Sequence, residues 1–149
     1  VNTISKIISG GQTGADRAGL DVAIWHNFPH GGWCPKGRKA EEDPIGGQYL
    51  LTETPGANYL QRNEWNVRDS DGTIVFTLSA EITGGSMRTA AFAKKLEKPW
   101  LHISRCGHSQ PELLIQKFLA EHSIRFSTWQ AALFWSEAHP AMLGGPGEV

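Results

Sequence analysis

Ile7-Ile8-Ser9-Gly10-Gly11-Gln12-Thr13-Gly14 carries the chain from an apolar run straight into a glycine turn, and Ala15-Asp16-Arg17-Ala18 opens a helix-spaced stretch behind it. The plan recurs at Ile74-Val75-Phe76-Thr77-Leu78, followed by Thr83-Gly84-Gly85-Ser86-Met87-Arg88-Thr89 and an alanine-rich segment. Strand, glycine turn and helix in that order place bare backbone N–H groups at a helix N-terminus, where peptide dipoles favour anions. In a parallel sheet both turns open on one edge, at the carboxyl ends of their strands, and line one crevice. A phosphorylated small molecule is the ligand this arrangement predicts.

Around these turns the rest of the chain falls into place. Residues 4–9 read as the first strand. Thr13 reads as the N-cap of the helix that follows, with Asp16 three residues on as a carboxylate capping box. Ala15, Ala18, Val22 and Trp25 then recur at helical spacing until Pro29. Residues 31–35 and 49–52 read as short strands. Residues 35–48, with three glycines and two prolines among charges, read as a long surface loop, a class that is functional or mobile. A helix is expected over 57–68, a buried strand over 73–78, a helix over 86–96 and a strand over 99–104. Pro111 suits the first position of a further helix, whose apolar stripe is Leu114, Ile115, Phe118, Leu119 and His122. The alternation predicts an α/β fold, a mostly parallel sheet with helices on both faces. Trp129, Ala131, Leu133 and Phe134 suggest a last helix before a glycine- and proline-rich end.

With 149 residues, 40% hydrophobic and 19% charged, the chain reads as one soluble domain, 1–149. A formal charge of −1 argues against a nucleic-acid partner. No apolar stretch approaches the roughly 20 residues that span a bilayer, and no secretory signal opens the chain. Cys34 and Cys106 match no metal-ligand spacing and read as reduced thiols of a cytoplasmic protein; no metal site is expected. Six tryptophans are many for this length and suggest a subunit interface or a ligand pocket.

The first turn is neither a dinucleotide fingerprint nor a P-loop, so alone it reads equally as a simple chain reversal. The second turn adds Ser86 and Thr89 as hydroxyl donors and Arg88, a cation in a helix first turn that a bound anion would explain. The candidate ligand-binding set is therefore Gly10, Gly11, Gln12, Thr13 and Gly14 with Asp16 and Arg17 at the first turn. Gly84, Gly85, Ser86, Arg88 and Thr89 complete it at the second, with Lys36 from the long loop. Backbone amides would cradle phosphate, Thr13, Ser86 and Thr89 would donate hydroxyl hydrogen bonds, and Arg88 with Lys36 would neutralise charge. Asp16 would hold a ligand hydroxyl or clasp Arg17 or Arg88.

Ile8 through Arg17 resembles the opening of the family named "putative molybdenum carrier" in the SLOG superfamily. Gly31-Gly32-Trp33-Cys34-Pro35-Lys36-Gly37-Arg38, Glu64-Trp65-Asn66-Val67-Arg68-Asp69-Ser70-Asp71-Gly72-Thr73 and Thr83-Gly84-Gly85 match it as well. The resemblance implies a Rossmann-like sheet, a homo-oligomer, and binding of a nucleotide or a pterin-type molybdenum cofactor through its phosphate. The superfamily also holds phosphoribohydrolases whose second turn reads P-G-G-x-G-T-x-x-E. Here Met87 and Arg88 replace the Gly-Thr pair, and Ala91 stands where the catalytic glutamate belongs. That departure favours a binding or carrier protein; nucleotide N-glycosidase activity, the alternative, needs Asp16 or Glu64 as a substitute acid. The family reads Asn-Val-Ala-Gly after its last strand, where this chain has Ser127-Thr128-Trp129-Gln130-Ala131. Residues 127–149 are therefore expected to be a divergent tail, the product of a shifted reading frame, without site residues.

Overall fold

The computed structural model describes residues 4–124 and the backbone path of residues 126–131. Five strands form one all-parallel sheet in the order β2 (His30–Gly31), β1 (Lys6–Ile8), β7 (Phe126–Ala131), β5 (Gly72–Thr77), β6 (Trp100–Ser104). Two further short strands, β3 (Trp33–Cys34) and β4 (Thr52–Glu53), pair in parallel beside it. The expected strand at 31–35 is thus split between two sheets, and that at 49–52 shrinks to its last residue plus Glu53. Among the described residues four helices connect the strands: α1 (Ala15–Trp25), α2 (Tyr59–Arg68), α3 (Gly84–Lys95) and α4 (Pro111–Glu121).

Strand alternation sorts the core onto the two faces of the sheet. Ile7, Ile74, Phe76 and Ile103 point one way and pack with Ala15, Val22 and Ala23 of α1, Ile115 and Phe118 of α4, and Ile124. Thr73, Val75 and Thr77 point the other way, and every residue of β5 is buried. Such two-sided burial is what its unbroken apolar run requires. There α3 packs on β5 and against α2. Numbered from β7, the sheet order becomes 3-2-1-4-5, the doubly wound arrangement with its first strand moved behind all the others.

Two expectations fail here. Ser127 to Ala131 is a strand, not part of a helix: its backbone pairs with both β1 and β5, and Thr128 and Trp129 are residue types that strands favour. Leu133 and Phe134 of that expected helix, with the rest of residues 132–149, lie outside the described residues. Thr13 is not the N-cap either. That place belongs to Gly14, whose φ of 100° suits glycine, and no side chain caps the helix.

Where the first turn meets β2, Gly32 sits at φ +133°, and a Cβ added there would lie 2.3 Å from Ser9 O and 2.9 Å from Ser9 N. Backbone cannot yield as a side-chain tip can. Gly32→Ala should therefore lower unfolding free energy by about 2–3 kcal/mol. Gly47→Ala, where nothing lies within 4 Å, should be nearly neutral. Urea denaturation of both variants checks this.

Candidate functional site

Because the sheet is parallel, both glycine turns leave it at the same rim, with only β7 between their strands, roughly 10 Å of sheet width. The strand ends are staggered. Ile8 ends β1 in register with Thr128 and Thr73, while β5 runs on to Thr77. The turns share one edge and differ in almost everything else.

The first turn is filled by the protein's own groups. The Arg62 guanidinium of α2 lies directly over Gly10: an added Cβ would sit 1.8 Å from Arg62 Nη1. The bare Cα of Gly10 therefore makes room for arginine, not for a ligand. Arg62 Nη1 donates to Asp16 Oδ2 at 3.0 Å, and both residues are buried, 6% and 1% exposed. Asp16 thus clasps Arg62, where the sequence suggested Arg17 or Arg88. Its Oδ2 also accepts from the Gln12 amide at 3.3 Å, while the Gly11 amide donates to Ser9 Oγ at 3.3 Å. Arg17 is spent on structure as well, its Nε on Gly11 O and its Nη2 on Asp43 O. Gln12 gives its side-chain N–H to Lys39 O at 3.0 Å. Gln12 Oε1, Thr13 Oγ1 and Arg62 Nε stay buried without a partner.

The segment expected to be a long surface loop is folded over this turn. Ile45 and Tyr49 are buried with Leu20 and Cys34 in a second small core, and Ile45 and Leu51 cover Gly11. Arg38 staples the segment from within, donating to the carbonyls of Ile45, Gly46, Tyr49 and Leu51. Tyr49 Oη donates to Asp21 Oδ1 at 2.6 Å; burial, with that bond second, pushes its phenol up to about 12. Lys36 is exposed, and no described contact ties its side chain to either turn.

The second turn is open. Thr83, Gly84, Gly85, Met87 and Arg88 are exposed, and an added Cβ at Gly84 or Gly85 would meet nothing within 4 Å. Gly84 holds φ +57°, which releases the chain into the twelve-residue α3. No acidic residue stands in its first turn, and Thr83 makes no side-chain cap. Thr89 departs from expectation: it is fully buried, and its hydroxyl donates back to Gly85 O at 3.0 Å, so its proton is not available to a ligand.

Beside this turn the rim carries groups that sequence spacing did not single out. Arg105 follows β6, and its amide donates to Thr77 O. Thr77 Oγ1 donates to Ser79 O at 2.7 Å and lies 2.6 Å from His102 Nε2, which must then carry the ring proton. Burial, with His108 second, holds His102 below its ordinary value, so the ring stays neutral and anchors the chain entering the second turn.

Residues 7–128 match the model of the circularly permutated YpsA SLOG family. The fold is also that of a solved structure, a protein from Syntrophus aciditrophicus SB named "Putative molybdenum carrier protein". The two share 42% sequence identity with a TM-score of 0.87, over 94% of this chain and 90% of the other. No curated protein matches.

Arg62→Met leaves the Asp16 carboxylate buried without its cation and should cost about 3–5 kcal/mol by urea denaturation. Tyr49 binds its proton more tightly folded than unfolded. Its contribution is therefore complete below pH 10 and fades as pH rises from 10 toward about 12. Tyr49→Phe should remove that part of the alkaline destabilisation, and a UV-monitored phenolate titration should find one tyrosine ionising near 12.

Proposed function

The chain belongs to the circularly permutated YpsA family of SLOG proteins, and from that premise we propose that it binds a phosphorylated, nucleotide-like or pterin-type small molecule at the strand carboxyl edge. The phosphate sits on the N-terminus of α3. One observation carries this reading: of two glycine turns on one rim, the second alone presents exposed glycines, open space and a helix start without an acid. Backbone amides at Gly85 and Ser86 would meet the phosphate oxygens, the Ser86 hydroxyl would donate, and Arg88 would neutralise charge. The first turn, already neutral, forms a preset wall. A molybdenum-cofactor carrier role comes from the name of the solved neighbour and fits this chemistry, since a phosphate-bearing pterin presents the same anion.

The glycosidase alternative is left with Glu64, half-buried on α2, as its candidate acid. Ala91 is an exposed methyl, and Asp16 is bound by Arg62 and the Gln12 amide. Incubation with nucleoside monophosphates followed by chromatography should show no free base; its appearance would reverse the choice.

Thermal-shift assays with ribose 5-phosphate and nucleoside monophosphates test the seat itself, because a ligand of the native state alone must raise the melting temperature. Gly85→Leu has room for its side chain, so it should keep the fold and abolish the shift. Arg88→Ala should weaken binding about tenfold. An unchanged shift in both variants would remove the second turn from the site.

A further inference from the structure

The first glycine turn holds an anion of its own. The Asp16 carboxylate takes a backbone N–H from Gln12 at 3.3 Å and a guanidinium N–H from Arg62 at 3.0 Å, and it stands in the first turn of α1. A turn amide, an arginine and a helix N-terminus are the partners a phosphate takes in such a turn. Asp16 is 1% exposed, so this is a built arrangement and not a surface pairing. A second anion brought to this turn would find the Gln12 amide and the Arg62 N–H already taken by this carboxylate.

We infer that Asp16 is a specificity-determining residue: it fills the first of two phosphate-type seats and restricts the site to ligands with a single phosphoryl group. Bisphosphates reaching both turns are excluded. Arg62 keeps the carboxylate in place, and the bare Cα of Gly10 lets the guanidinium come close enough to do so. The restriction to one phosphoryl group rests on the second turn being the phosphate seat; the filling of the first turn does not.

Amide NMR of the full chain, titrated with inorganic phosphate, separates the two. In the wild type, Gly85 and Ser86 amides should shift and Gly11 and Gln12 amides should not. In Asp16→Asn the Gln12 amide should respond as well. Its midpoint should lie at least tenfold below the highest phosphate concentration that leaves the wild-type amide unmoved. A wild-type Gln12 amide that moves together with Ser86 overturns the inference, and so does a folded Asp16→Asn whose Gln12 amide stays still. A response at Gln12 in the variant with none at Ser86 in either protein leaves Asp16 as the resident anion but refutes the proposed seat on α3, and with it the single-phosphoryl restriction. Should Asp16→Asn not fold, Asp16→Ser, which removes the carboxylate and keeps Arg62, takes its place. An unresponsive Gln12 amide there is equally decisive against the inference.

Discussion

A buried ion pair between residues 46 positions apart in sequence ties the rim of this sheet together. Asp16 begins α1 and Arg62 lies mid-way along α2, so one hydrogen bond joins helices that cover opposite faces. Removing two charges from water is costly and is offset only by good geometry and further partners. The Gln12 amide supplies one such partner. From α2 the order spreads outward. The buried Asn66 exchanges two hydrogen bonds with the Trp33 backbone, and Asp69 accepts from the Trp33 indole at 2.7 Å. Trp65 meets the same indole edge-on. The stretch from Glu64 to Thr73, so distinctive as sequence, is therefore largely a clasp between α2 and β3.

The two glycine turns show how far one local pattern can diverge. Both are glycine pairs between a strand and a helix, and both open at the same rim. At the first, glycine is needed because an arginine, an isoleucine and a leucine press on the backbone from above. At the second, glycine leaves the backbone bare toward solvent, with a left-handed residue at its start. Close packing and open access are the two classes of reason for a missing side chain, and sequence alone does not separate them.

Much of the architecture was readable from the chain because unbroken apolar runs ending in glycine mark parallel strands, and Pro111 marks a helix start. The long segment after β3 was recognised, yet its interior order was hidden: Arg38 holds four carbonyls that no periodicity announces. The site was readable only in part. Gly84, Gly85, Ser86 and Arg88 stand where a binding turn would put them, whereas Thr89 bonds its own helix and Arg17 its own loop. Arg62 reads from sequence as part of a polar helix face, because its partner Asp16 lies far away along the chain. The strand at 126–131 escaped because Trp129, Ala131, Leu133 and Phe134 read together as one apolar helix, although Phe126, Thr128 and Trp129 are types that strands favour; pairing on both sides fixes the extended form.

That strand also orders events in time. β2 with β1 and β5 with β6 are each complete pairs, but nothing in the sheet joins them except a segment that leaves the ribosome after both. Until it arrives, each half shows an unpaired inner edge, the kind of surface that recruits strands from other chains. The sheet therefore cannot close before this strand, later in the chain than the other four, takes its place between β1 and β5. Closure of this kind brings together segments far apart along the chain, which makes it slow and places the risk of misassembly at its last step.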